Sequence, residues 1–365
     1  MLKKVDSKFI RIAVLLICLP ILFIIILFII KGCSGKKTSY ALYEDKMVES
    51  TKKYLTNKSL LPKNSGGKVV VNLSDLVKYK YIKSANDSVK DNNCDGSVTV
   101  FNNGGQYLYI PNLKCDKYKT AYLIDKLKEQ IVTKESGLYQ VSDGYVYKGA
   151  KVNNYVSFFD KEYRIVSIDN NGILKLVKSN SEKDKVKWDF KFNVDVDRAY
   201  GKNDYSDSNI LDVLSNVYAQ VSDKQKAHLV AYDVCYGNRS LQYLNIDKVN
   251  ECSLKLENQY VSLLNTYDFA MASYDKDCTT IGGGACRNYN YLFDTLNSTW
   301  LMNGDADTSF KVYYYSAGNI ISTRANNNIK YNIVIYINGL ELVKKGDGSK
   351  KDPFVIGWQF KLFDI

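Results

Sequence analysis

At 365 residues with 45% hydrophobic content, the chain is long enough for two domains of ordinary size and too apolar to be a disordered polymer. More than half of the formal net charge of +11 lies within residues 1–37, where Lys3, Lys4, Lys8, Arg11, Lys31, Lys36 and Lys37 face only Asp6. The remainder is mildly basic and has no run of Arg and Lys interleaved with base-stacking aromatics, which argues against a nucleic-acid partner. A solvated surface is the plain reading, with envelope glycans or anionic wall polymers the best functional options.

From Ile12 to Ile30 every residue is apolar except Cys18 and Pro20, a run that matches a bilayer hydrocarbon core at the helical rise. Arg11 and Lys31 end it, and the cations before it put the N-terminus in the cytoplasm. Residues 1–37 are therefore expected to be a cytoplasmic tail and a single-pass signal-anchor helix, with the lipid bilayer as first partner. Ile-Lys-Gly-Cys ending at Cys33 keeps lipidation at that cysteine open, and cleavage with secretion is the third alternative. All three place the bulk of the chain outside the cytoplasm.

Residues 38–119 are expected to form a small α+β module. Tyr40 to Leu55 carries Leu42, Met47, Val48 and Leu55 at helical spacing, Lys68 to Asn72 is a β-branched strand, and Ser74 is the expected cap of a short helix ending near Tyr81 to Lys83. Ser97 to Phe101 and Gln106 to Ile110 read as a hairpin around the turn at Asn102 to Gly105. Residues 120–136 read as a helical connector. The unit from 137 to 365 opens with short strands at Tyr145 to Tyr147, Tyr155 to Phe159, Glu162 to Ile168 and Ile173 to Val177. It carries a helix from Asn209 to Gln220 with Ile210, Leu211, Leu214 and Val217 on one face. Later strands are expected at Val261 to Leu264, Lys311 to Tyr315, Asn319 to Thr323 and Asn332 to Asn338. The fold class is thus α+β, mostly short strands with few helices.

Six of the eight cysteines form three sequence-local pairs, Cys94 with Cys115, Cys235 with Cys252 and Cys278 with Cys286. Local pairing suggests bridges made in an oxidising compartment, although spacing alone does not fix connectivity. A metal site is the poorer reading, since no CxxC occurs and His228 is the only histidine.

In Gly137-Leu-Tyr, Ser142-Asp-Gly, Val152-Asn-Asn-Tyr155, Tyr163-Arg-Ile-Val, Asn170-Asn-Gly172, the Ser208 to Tyr218 helix, Val261-Ser-Leu-Leu, Thr299-Trp-Leu and Gly346-Asp-Gly-Ser with Asp352-Pro-Phe-Val-Ile, the second unit resembles a family of Firmicutes-type extracytoplasmic domains of unassigned function. Those domains are distantly similar to the sulfatase-modifying-factor and C-type-lectin-like fold. Such domains often have Trp where Tyr163 stands and Arg-Pro where Asn332-Ile333 stand. The first unit loosely resembles the ectodomain of type IV pilin-like proteins, without a prepilin cleavage site. The resemblance implies a lectin-like domain displayed on a small stalk.

No GxSxG, HExxH, Walker loop or dinucleotide fingerprint is present, and Gly282-Gly-Gly284 lacks the Lys-Ser of a phosphate cradle. His228 is expected in a packing or surface role. The carboxylate pairs Asp195 with Asp197, Asp305 with Asp307 and Asp347 with Asp352 are expected to serve turns, not calcium. No enzyme activity, metal or cofactor is expected. Trp188 and the run Tyr313, Tyr314 and Tyr315 are the candidate ligand contacts, because a flat apolar face with a polar tip suits sugar rings. The expected function is a non-catalytic binding or adhesion module at the cell surface; the alternative is an assembly component of an envelope or pilus-like machine.

Overall fold

The computed structural model describes residues 39–240, 245–246, 248–281, 283–295 and 298–357. The expected anchor lies outside them; among the described residues no helix is long and apolar enough to cross a membrane. The chain is mixed α+β, mostly strands arranged in several sheets.

In the first unit, helix α1 (Ser39–Lys58) lies on a sheet of β1 (Lys68–Asn72), β2 (Asp95–Asn103) and β3 (Gln106–Lys114), paired antiparallel in that order. The buried stripe of α1 is Tyr43, Glu44, Met47, Ser50, Thr51 and Leu55. The stripe expected from Leu42 is rotated, and Leu42 is 49% exposed, because polar residues with partners of their own take core-facing positions. Glu44 accepts from Thr120 Oγ1 at 2.6 Å, and Thr120 Oγ1 accepts from Leu113 N, so the helix is bonded to the end of β3. The hairpin turn is made at Gly104 and Gly105, whose φ values of +63° and +91° any other residue would resist. Helix α2 (Leu73–Lys78) has Asn72, not Ser74, at its cap position, and α3 (Ala85–Val89) follows without having been expected.

Asp91 connects the two ends of this unit. Its carboxylate accepts from Asn92 N at 2.8 Å, Lys117 N at 3.0 Å and Tyr40 OH at 2.9 Å. Burial pushes its pKa up, but these donors outweigh it and the net value is lowered from 3.8. A depressed carboxyl contributes stability that is present above its unfolded value and lost as pH falls through its folded one. Amide-exchange protection across α1 and α3, corrected for the intrinsic pH dependence of exchange, is therefore expected to fall as pH drops through and below the ordinary aspartate range, and Asp91→Asn is expected to remove that dependence. An acid response unchanged in the variant would assign it elsewhere.

The second unit is built on an eight-stranded sheet. Its path runs β12 (Val261–Ser262), β17 (Val334–Asn338), β8 (Ile173–Lys178), β7 (Lys161–Asp169), β5 (Gly144–Lys148), β4 (Gly137–Val141), all antiparallel. Strand β6 (Tyr155–Phe158) pairs with β7 and receives β18 (Phe354–Ile356) in parallel, so the end of the described chain returns to the early strands of the second unit. Gly144 has φ +136°, and a Cβ there would meet Ile168 O at 1.9 Å; only glycine lets β5 approach β7 at this corner. Helix α5 (Asn209–Ala219) buries Ile210 and Leu214, with Leu211 and Val217 packed beside them.

The connector is shorter than expected. Only α4 (Leu123–Lys128) is helical; Leu123 and Leu127 are buried in the core of the second unit, and Leu123 N and Ile124 N donate to Glu341 O and Gly339 O. The hairpin joins the same unit: Leu108 and Ile110 pack with Tyr122, Leu340 and Leu342, and Asn103 Nδ2 donates to Ala227 O at 2.6 Å.

Candidate functional site

A cleft with a cavity of about 230 Å³ opens on the face of the large sheet. One wall is β5, β7 and β8. The other is β10 (Tyr232–Cys235), the single turn α6 (Lys248–Glu251) and β11 (Lys255–Gln259), stapled by the Cys235–Cys252 disulfide, S–S 2.03 Å. The inner end is α7 (Thr266–Met271).

An ion pair forms the floor. Lys175 projects from β8 opposite Ser167 of β7, and its Nζ donates to Asp268 Oδ1 at 2.8 Å and Oδ2 at 3.0 Å. Asp268 is fixed in turn by a capping box: Asn265 Oδ1 accepts from Asp268 N at 2.8 Å, and Asp268 Oδ2 accepts from Asn265 N at 3.0 Å. Burial alone would lower the lysine, but the Asp268 carboxylate, with Tyr232 and Glu251 farther off, raises it. The ammonium is held protonated and its charge is balanced by Asp268, so it can offer an N–H to an acceptor oxygen but does not act as a nucleophile. Tyr232 lines the same wall, stacked on buried Tyr336 with centroids 4.5 Å apart, and burial pushes its hydroxyl up to about 12. At the rim Lys248 pairs with Asp143.

Behind the second wall sits a buried network. Glu251 Oε2 accepts from Arg239 Nη2 at 2.6 Å, Arg239 Nε at 3.1 Å and Thr266 Oγ1 at 3.1 Å, while Oε1 accepts from Asn303 Nδ2 at 2.7 Å. Glu251 and Arg239 are each 1% exposed. Burial raises the Glu251 carboxyl despite the opposing guanidinium. The network anchors the disulfide-bearing segment to β13 (Thr299–Gly304), which with β14 (Lys311–Ser316) and β15 (Asn319–Arg324) forms a three-stranded sheet.

All three cysteine pairs are disulfides: Cys94–Cys115, Cys235–Cys252 and Cys278–Cys286. The aromatic candidates need correction. Trp188 is fully buried and donates from Nε1 to Leu301 O at 3.0 Å, while Trp300 Nε1 reciprocates to Val186 O at 2.9 Å. Tyr313 and Tyr315 are each 1% exposed, their hydroxyls donating to Arg239 O and Phe293 O. Tyr314 is half-buried, edge-on to Trp300. Strand β14 is the middle strand of its sheet, with Tyr313 and Tyr315 on its buried face and Tyr314 on the other beside its cross-strand partner Ile321, which is 43% exposed. Ile281 and Cys286 of the glycine-rich loop are buried as well.

His228 is buried, its Nδ1 2.7 Å from Glu341 Oε1, with Phe158 and Phe159 edge-on to the ring. Asp305 accepts from Asp307 N and Ser322 Oγ, and Asp347 from Ser349 N, which is turn chemistry. The chain matches no protein-family model, no curated protein and no solved structure, so function is read from the site itself. Of the cleft residues, Cys235 and Cys252 were singled out from sequence as a bridge, and the ion pair at the floor was not. The one local signal is Asn265-Thr-Tyr-Asp268, a capping-box spacing that announces α7 but not the lysine it meets.

Proposed function

We propose that the chain is a membrane-anchored, extracytoplasmic surface protein whose lectin-like C-terminal unit binds an envelope glycan or anionic wall polymer in the cleft without transforming it, displayed on the smaller pilin-like unit. The observation that carries the reading is the floor of the cleft, where a protonated lysine and tyrosine surfaces share a cavity sized for a small polar group. Three bridges fit a compartment outside the cytoplasm.

The test is a glycan array and a wall-polymer pull-down with the full chain in a sugar-free polyoxyethylene detergent. Retention is expected for the natural chain. The neutral pair variant Lys175→Met with Asp268→Asn, which leaves no lone buried charge, is expected to weaken binding at least about tenfold. Blank results in both assays, or retention indifferent to the pair variant, would remove the cleft as the ligand site.

The assembly reading draws on one observation: Phe190, Phe192 and Val194 are 54%, 55% and 76% exposed at alternate positions. Crosslinked oligomers in membranes that vanish with Phe190→Ser and Phe192→Ser would favour it.

A further inference from the structure

At the far end of α1 three tyrosines and a lysine make an arrangement that the cleft does not use. Tyr54 stands edge-on to Tyr81, centroids 5.4 Å apart at 82°, and tilted to Tyr79 at 6.0 Å. The Lys58 ammonium lies 3.8 Å from the Tyr79 ring centroid and 4.9 Å from that of Tyr54. Two ring faces thus converge on Lys58, within the range where the negative face of an aromatic ring attracts positive charge, and Lys78 Nζ lies farther off, 5.7 Å from the Tyr79 centroid.

The backbone that carries Tyr79 and Tyr81, and the Tyr81 ring itself, are held independently of the lysine. Tyr79 N donates to Asp75 O at 2.9 Å and Tyr81 N to Leu76 O at 2.8 Å, with Lys80 between them at φ +61° turning the chain back. Asn57 Nδ2 donates to Tyr81 OH, and Ser50 Oγ to Tyr81 O. Lys58, by contrast, is exposed and is the last residue of its helix. Holding a long side chain there costs rotamer entropy, and its strongly hydrated ammonium gains little at an exposed ring. The cation is therefore readily displaced while the rings stay in place.

We infer that Tyr54, Tyr79 and Tyr81 form a binding site for a quaternary ammonium group of the choline type, with Lys58 as its built-in occupant. A quaternary ammonium is more weakly hydrated than a lysine and brings methyl groups to the ring faces, so it gains from both charge and apolar contact. Such a group could be carried by a phospholipid headgroup or by free or polymer-borne phosphocholine. The site sits about 30 Å along the axis of the 20-residue helix from Ser39. It is separate from the cleft, and failure of one reading leaves the other standing.

The experiment is ligand-observed saturation-transfer NMR on the choline N-methyl protons, with the full chain in maltoside micelles that carry no choline. Transfer is expected with the natural chain and a roughly fivefold tighter dissociation constant with Lys58→Ala, where the nearer internal competitor is gone. Tyr79→Phe, which keeps the ring, is expected to retain binding, and Tyr79→Ala in the Lys58→Ala background to weaken it about fivefold or more. The neutral isostere 3,3-dimethylbutanol is expected to bind more weakly than choline. No transfer in a folded Lys58→Ala chain, or transfer indifferent to loss of the Tyr79 ring, overturns the proposal. Sedimentation with phosphatidylcholine vesicles, against phosphatidylglycerol vesicles, assigns the source. Cage-dependent capture by the former points to the headgroup, and binding of phosphocholine without it points to the soluble or polymer-borne form.

Discussion

Glu251→Ala is expected to cost the second unit about 3–5 kcal/mol in chemical denaturation, the largest effect of any single substitution proposed for this chain. The variant leaves the Arg239 guanidinium, 1% exposed, without the carboxylate that accepts from both Nε and Nη2. It also removes the acceptor of Thr266 Oγ1 and one of the two acceptors of Asn303 Nδ2, the other being Gly237 O. Glu251→Gln is expected to lose less, because it keeps the shape and one carbonyl acceptor. The double variant Arg239→Met with Glu251→Leu is expected to recover much of the loss, since a buried pair replaced by apolar side chains of like volume leaves no lone charge. A loss below about 1 kcal/mol in the alanine variant would mean that water reaches the pair and that it does not brace the cleft wall.

Replacing Cys94 and Cys115 with alanine is expected to cost about 3 kcal/mol in the first unit, followed by amide exchange in α1 and the hairpin. The bridge closes a separation of 21 residues at the open end of β2 and β3. The unit's core rests on a few side chains, including Met47, Leu55, Leu76, Val98 and Leu113, so the bridge is a large share of its stability. Exchange that is unchanged after replacement would show that Asp91 and its three donors hold the ends alone.

Much of the secondary structure was legible. Ile173 to Val177 and Glu162 to Ile168 are short apolar-rich runs with β-branched residues, bounded by the turn at Asp169 to Gly172, and each falls within the observed strand. Local cysteine spacing likewise matched the three bridges. Partner choice was not legible, because a period of two residues says which face is buried and nothing about the neighbouring strand. Thus the parallel return of β18 onto β6, nearly the whole second unit away in sequence, has no local signature. The same holds for the cleft: Lys175 and Asp268 are 93 residues apart, and each alone reads as a surface charge.

Two misreadings share one cause. Leu42 was assigned to the buried face of α1, and Tyr313, Tyr315 and Trp188 to a ligand surface, by residue type. In the fold, polar groups with good partners enter the core: Glu44 with Thr120, and the tyrosine and tryptophan polar tips with backbone carbonyls. Burial follows whether a polar atom can be satisfied, and that depends on groups distant in sequence.

An extracytoplasmic place for both units requires the six downstream sulfurs to be oxidised in the cell that makes the chain. With Cys18 and Cys33 changed to serine, cells expressing the full chain are lysed in denaturant with a maleimide present, before and after reductant. The expected result is no labelling until reductant is added, then labelling at Cys94, Cys115, Cys235, Cys252, Cys278 and Cys286. Labelling of all six without reductant would place the folded units in a reducing compartment and contradict the account.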